Sequence, residues 1–278
     1  MAIKNVVVVG AAGGIGLEVL RQLQGQAKIY AVVQNDQQAK EIMPLAEEIL
    51  VCDVSQSEAL DRVINMLELK LTEGLDALIL LAAIQPIGPV ALLPRTLLEK
   101  VFAVNVLGTI SFIQGLLPFL RKGCGRVIIF SSMAGRVAAP MLGGYSASKF
   151  ALEALADSLR RELYGSNVAV SLIEPGGVDT PMAAQQGLLV DRALADMSPE
   201  VEADYGRLYR GYRKMAIGAL QHASKPEKVA RVAVYAAMRG GTLKPRYIVG
   251  GDARLVILLS YLLPAKWIDL ILAKATGL

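Results

Sequence analysis

One junction near the N-terminus limits the fold more than any other feature. The unbroken β-branched run Val6-Val7-Val8-Val9 leads into Gly10-Ala11-Ala12-Gly13-Gly14-Ile15-Gly16, after which Leu17, Leu20 and Leu23 recur at helical spacing. This reads as strand, glycine-rich turn, helix. Such a turn lets backbone approach a pyrophosphate, while the helix start offers free N–H groups and a partial positive charge. It also serves, without any ligand, to pack a helix tightly on a strand.

The same alternation runs on. Strands are predicted over Ala27–Val33, Ile49–Cys52, Leu75–Ala83, Arg126–Phe130, Val168–Ile173 and Arg246–Val249, and helices over Asp36–Glu48, Ser55–Leu71, Thr96–Leu120, Gly144–Tyr164 and Glu227–Met238. Strand–helix alternation implies an α/β fold with a doubly wound parallel sheet of about seven strands, helices on both faces, and ligands along the carboxyl edge. With 54% hydrophobic and 19% charged residues, the 278-residue chain has enough apolar material for one domain spanning residues 1–278. A net charge of +4 without a Lys/Arg run argues against a nucleic-acid partner. Met1 passes through Ala2-Ile3-Lys4 straight into a strand with no apolar leader, so a cytoplasmic location is expected. Cys52 and Cys124 lack ligand spacing and read as two reduced, buried thiols; no metal site is expected.

Polar residues collect where strands end. Val33-Gln34-Asn35 closes the second strand, where a nucleotide ribose would lie. The absence of an acid there, with amides able to donate, favours a 2′-phosphate. Asp53 stands at the next strand end, either facing an adenine amino group or capping the following helix. Asn105, an amide inside an apolar helix, needs partners, as structural glue or as part of a polar relay. Tyr145 and Lys149 lie four apart on one helix face, and Ser132 ends the strand upstream. An ammonium beside a phenol favours the phenolate, which suits proton transfer, although a Tyr–Lys pair on a helix is more often a surface pair. Prolines flank glycines in Glu174-Pro175-Gly176-Gly177-Val178-Asp179-Thr180-Pro181, marking a sharp loop at another strand end. Residues 182–224 carry no strand signal and suit a substrate lid; His222, without an orienting partner, reads as solvated. In the tail from 253 to 278, the apolar run Leu255–Leu263 is broken by Pro264 and too short for a bilayer. It suits a subunit contact, a cover over an apolar substrate, or a membrane-surface anchor.

In order and spacing, these residues resemble the short-chain dehydrogenase/reductase family along nearly the whole chain, a Rossmann-type fold. Gly10-x-x-x-Gly14-x-Gly16 looks like its cofactor turn, Asp53-Val54 like its adenine contact, and Asn105, Ser132, Tyr145 and Lys149 like its catalytic tetrad. The resemblance implies a dinucleotide also held by Gly13, Ile15, Gln34, Asn35 and Ala82, by Tyr145 and Lys149, and by the loop carrying Pro175, Gly176, Val178 and Thr180. KIYAVVQND, RYIVGGDAR and LLP are most similar to the branch with 17-beta-hydroxysteroid and retinol dehydrogenases. That implies an NAD(P)-dependent oxidoreductase acting on apolar ketones or alcohols, with NADP(H) favoured over NAD(H), working as a homodimer or homotetramer. It further implies that Lys149 lowers the Tyr145 pKa, that Ser132 holds the substrate oxygen, and that Asn105 orders a water behind Lys149. Leu80-Leu81-Ala82-Ala83 departs from the family's Asn-Asn-Ala-Gly. The competing expectation is a non-catalytic dinucleotide sensor that keeps the fold.

Overall fold

The computed structural model describes residues 4–278; the expected strand entry through Ala2 and Ile3 lies outside the described residues. Its centre is a seven-stranded parallel sheet of β1 (Lys4–Val9), β2 (Ala27–Val33), β3 (Glu48–Val51), β4 (Ala77–Leu80), β5 (Arg126–Phe130), β6 (Ala169–Pro175) and β7 (Arg246–Val249), in the order β3-β2-β1-β4-β5-β6-β7. The order reverses between β1 and β4, with Val9 opposite both Val32 and Leu80, so a crevice opens above the β1 end.

Pleating decides the core. Val7, Tyr30, Leu78 and Ile129 face one side, where they meet α3 (Ser57–Lys70), α5 (Gly108–Lys122) and α6 (Gly143–Glu162). Val6, Val8, Ile29, Ile79 and Ile128 face the other, against α1 (Gly14–Leu23), α2 (Asp36–Ile42) and α10 (Pro226–Met238). Helix α4 (Arg95–Phe102) runs through a π turn at Ala103–Leu107 into α5. The continuous Arg95–Lys122 helix has the length and apolarity to cross a membrane, yet half of that window is buried inside the protein.

Several expectations shift. Helix α2 ends at Ile42, short of the expected Glu48, because Pro44 has no N–H to continue it and the chain tightens into a 3-10 turn over Met43–Leu45. Strand β4 stops at Leu80, before Ala83. Cys52 is buried as expected, but Cys124 is exposed. A methyl on either flanking glycine would strike Leu75, at 2.5 Å for Gly123 and 2.2 Å for Gly125, so the turn presses inward and Cys124, at φ 50°, projects outward. The stretch 182–224 is helical: α7 (Pro181–Ala184), α8 (Gln186–Ala195) and α9 (Pro199–Gln221). Ser198 caps α9 and Pro199 pre-sets its first turn, while Tyr205, Leu208, Tyr209, Tyr212 and Met215 give it one apolar face. The tail forms α11 (Gly251–Leu262) and α12 (Ala265–Ala275), parted at Leu263-Pro264.

Candidate active site

The glycine turn closes on the end of β4. Gly10 adopts φ +82°, and a methyl there would stand 2.6 Å from the Ala82 nitrogen; one on Gly16 would stand 2.5 Å from the Gly10 carbonyl oxygen. Gly13 is exposed, has only the Gly10 oxygen near its missing methyl, and starts a helix whose first turn carries neither a side-chain cap nor an acid. Gly14 lies against Thr180 and Pro181, so the turn and the loop after β6 face each other. Open backbone N–H groups at a helix start, next to residues without side chains, fit a pyrophosphate. In place of the strand-tying amide, the Leu81 N–H donates to the Val9 carbonyl.

At the β2 and β3 ends, much of the polar capacity is spent locally. Asn35 caps α2, its Oδ1 accepting from the Gln38 N–H at 3.0 Å, which leaves its amide nitrogen free. Asp53 does not cap α3, whose start falls to Gln56 without a side-chain bond. Its Oδ1 accepts from the Ser55 N–H at 3.0 Å and from the Ser55 hydroxyl at 2.7 Å. Burial opposes its charge, but Ser55, the Gln34 side chain and Lys100 together hold its pKa below the usual value. Val54 is buried under Gly108, where a methyl would meet the Val54 oxygen at 2.8 Å.

Across the crevice, Ser132, Tyr145 and Lys149 come together. The Lys149 Nζ lies 5.6 Å from the Tyr145 ring centroid and donates to the Phe130 carbonyl at 2.7 Å. Ser132 accepts from the Ala134 N–H at 3.1 Å, and its hydroxyl interacts with the phenol. Burial pushes the phenol up to about 12, with Ser132 opposing. It pushes the ammonium down to about 8, with Glu153 opposing. Burial thus acts on both groups in the same sense, disfavouring the charged form of each. The set is a buried phenol that can donate a proton beside an amine whose charge burial weakens.

Asn105 is fully buried in the π turn, where helices often carry functional groups. Its carboxamide accepts from the Ile84 N–H at 2.8 Å, and donates to the Ile84 carbonyl at 3.0 Å and to Ser148 Oγ at 2.9 Å; Ser148 in turn donates to the Tyr145 carbonyl at 2.7 Å. The Thr109 hydroxyl donates to the Asn105 carbonyl. Asn105 thus joins the segment after β4 to the turn carrying Tyr145 through Ser148, which is the tie among the readings of this amide.

The loop after β6 is held from below. The Gly176 N–H donates to Val249, and the Gly177 N–H to Asp252 Oδ2 at 2.7 Å. A methyl on Gly176 would strike that carboxylate. Val178 bridges to Ser224, and Thr180 caps α7. His222 is exposed at the end of α9, as its sequence context implied.

Three features went unread in the sequence. Met141, four residues before Tyr145, holds φ 71°, and its carbonyl accepts from the Gly88 N–H. With Val190, Tyr209 and Tyr212 it forms an apolar cluster joined by Ile87 and Leu142, which seats α8 and α9 against the turn that leads into α6. Buried Glu153 and Glu174 form an ion cluster with half-buried Arg136 and Arg246 one turn beyond Lys149. Only Glu153, four residues after Lys149, offered a sequence signal. Among the described residues no group of three or more His, Cys, Asp or Glu side chains is placed to hold a metal ion.

The family model described as short chain dehydrogenase matches residues 4–188. The chain belongs to the short-chain dehydrogenase family. Within these oxidoreductases it falls in the retinol dehydrogenase-like branch. It is 33% identical to the probable short-chain type dehydrogenase/reductase VdlC of Helicobacter pylori, over 95% of this chain and 94% of that one. It is 31% identical to retinol dehydrogenase 5 of Homo sapiens, over 96% and 87%. The NADPH-dependent 3-dehydrocapnine reductase of Ornithobacterium rhinotracheale is 30% identical, over 96% and 95%. In fold, this short-chain dehydrogenase is similar to one from Streptomyces avermitilis, with a TM-score of 0.76 at 21% identity covering 99% and 96% of the two chains. A RhlG/NADP active-site complex from Pseudomonas aeruginosa gives 0.70 at 25% identity, covering 92% and 97%.

Proposed function

We propose that this chain moves a hydride between C4 of a nicotinamide and the carbonyl or alcohol carbon of an apolar substrate. The observation that carries the reading is the Ser132–Tyr145–Lys149 set, with phenol and ammonium buried, across the crevice from the open glycine turn. A nicotinamide dinucleotide bound there would supply or take the hydride. Gly13, Gly14 and the α1 start would hold its pyrophosphate, and Gln34, Asn35 and Asp53 its adenosine. Tyr145 gives its proton to the carbonyl oxygen in reduction, Ser132 holds that oxygen, and the Lys149 ammonium stabilises the phenolate left behind.

The cluster of Met141, Tyr209, Tyr212, Ile87 and Leu142, built on the turn just before Tyr145 in sequence, supports an apolar substrate, as does the retinol dehydrogenase among the relatives. NADP(H) is the favoured cofactor: β2 ends without an acid, Lys100 acts on Asp53, and one relative is NADPH-dependent. Exposed Leu255, Leu258, Tyr261, Trp267 and Leu270 support a contact surface on the tail, and co-sedimentation with vesicles distinguishes a lipid surface from a second copy.

The test is Tyr145→Phe. Turnover of apolar ketones with NADPH should fall by about 10²–10⁴-fold, with NADPH fluorescence still reporting binding. Near-normal turnover in this variant would refute the assignment. Dinucleotide binding by the wild type without consumption across a broad ketone panel would favour a sensor.

A further inference from the structure

The proton-transfer chemistry leaves the buried ions beneath it unexplained. Tyr145, Lys149 and Glu153 occupy successive turns of one face of α6. Gly135 lets the turn after β5 close on that face: a methyl there would stand 3.2 Å from both Glu153 Cγ and the Lys149 carbonyl carbon. Glu153 Oε2 receives Arg246 at 2.9 Å and lies 3.8 Å from Arg136. Glu174 Oε1 receives both guanidinium groups at 3.2 Å. Their other oxygens, Glu153 Oε1 and Glu174 Oε2, are buried and have no protein partner, yet the two carboxyl groups are within hydrogen-bonding reach of each other. Two carboxyl groups so placed are satisfied together by one proton between them. At the outer end Asp157 takes Arg246 at 3.1 Å and Arg160 at 3.1 Å.

We propose that Glu153 is a positioning residue for hydride transfer: fixed by Arg136 and Arg246 and sharing a proton with Glu174, its carboxylate keeps the Lys149 ammonium charged inside the closed site. This rests on the proton-transfer reading of Tyr145 and Lys149. The groups facing Lys149 are Tyr145 and Glu153 on its own helix and the Phe130 carbonyl of β5. Arg136 after β5, Glu174 of β6, Arg246 of β7 and Asp157 stand behind Glu153. Burial drives the ammonium towards neutrality, and Glu153 is the carboxylate that opposes it. A neutral amine does little for a phenolate, so losing Glu153 takes Lys149 out of play at lower pH. Burial, and then Glu153, push Glu174 up to about 7. As pH rises through that value the pair loses its proton, and the added negative charge strengthens the hold on Lys149.

The experiment is the pH dependence of kcat for ketone reduction in wild type, Glu153→Gln and Glu174→Gln. In Glu153→Gln the basic limb should move down by about one pH unit. Glu174→Gln keeps the Glu153 side chain and its two arginines and should move the limb less than half as far. A limb that stays in place in Glu153→Gln, or a plateau that falls at every pH without a limb shift, overturns the proposal. Should Glu153→Gln not fold, the ¹⁵N signal of the Lys149 Nζ in wild type decides. A secondary step near pH 7 that disappears in Glu174→Gln supports the coupling, and a single-step titration overturns it. The NMR readout needs no turnover, so a wild type that reduces nothing tells against the oxidoreductase reading and leaves the coupling to be judged separately.

Discussion

The crevice floor above β2 and β3 and the one above β5 and β6 are built in opposite ways. Over β2 and β3, Gln34 and Asn35 are exposed, and the bonds are short-range: Asn35 to Gln38, Asp53 to Ser55. Over β5 and β6, the groups are buried and tied across the chain, Asn105 to Ser148 and Arg246 to Glu153. The first end can change one residue at a time, because water replaces whatever is lost. At the second, each removed partner strands another polar group in a dry interior.

The contrast breaks most readily at Arg246. Arg246→Ala strands Glu153 and Glu174 with one guanidinium between them and should cost about 3–5 kcal/mol in denaturant unfolding; a loss below about 1 kcal/mol would show that this end is as forgiving as the other. Next is Asn105→Ala, which leaves the half-buried Ile84 backbone groups and buried Ser148 without this partner, for an expected loss of about 1–3 kcal/mol by the same measurement.

A smaller effect is carried by pH. Glu174 is raised from 4.5 to about 7, so the folded state keeps a proton that the unfolded chain gives up. Its contribution is complete below pH 4.5 and fades as pH rises to about 7. Lys149 is lowered from 10.5 to about 8, so the unfolded chain holds the extra proton, and stability returns as pH rises from 8 towards 10.5. Together these two groups place a trough between pH 7 and 8, measurable as denaturation midpoints across pH 5–10. Glu174→Gln should flatten its acid side; an unchanged midpoint curve would remove Glu174 as its source. Least disruptive is Gln34→Arg at the exposed end, where stability should stay within about 0.5 kcal/mol while the preference for NADPH over NADH rises about tenfold by fluorescence titration. An unfolded or unselective variant would contradict the assignment of that edge to the adenosine.

The same contrast explains what could be read beforehand. Strands β1, β2, β5 and β7 declare themselves by β-branched or apolar runs, and the glycine turn by local backbone need, so the sheet and the cofactor edge were legible. The Tyr145–Lys149 pair has a fixed helical spacing, which made half of the catalytic end legible too. Arg136 and Arg246 carry no periodic signal: they meet Glu153 and Glu174 only because β6 and β7 lie side by side and the turn after β5 folds back over α6. Residues 182–224 hid their helices behind polar and aromatic residues whose apolar face exists only once Met141 and Ile87 are beside it.

One contact in the tail governs how far the α9 helix can shift. Thr276 is wholly buried, and its carbonyl comes so close to Gly211 that a methyl on that glycine would sit 1.7 Å from the oxygen. The last helical turn is thus keyed into the middle of α9, the helix whose Tyr209 and Tyr212 pack with Met141. The register of α9 is therefore fixed from α12 as well as from its own flanks, and any side chain at position 211 would have to push the two helices apart.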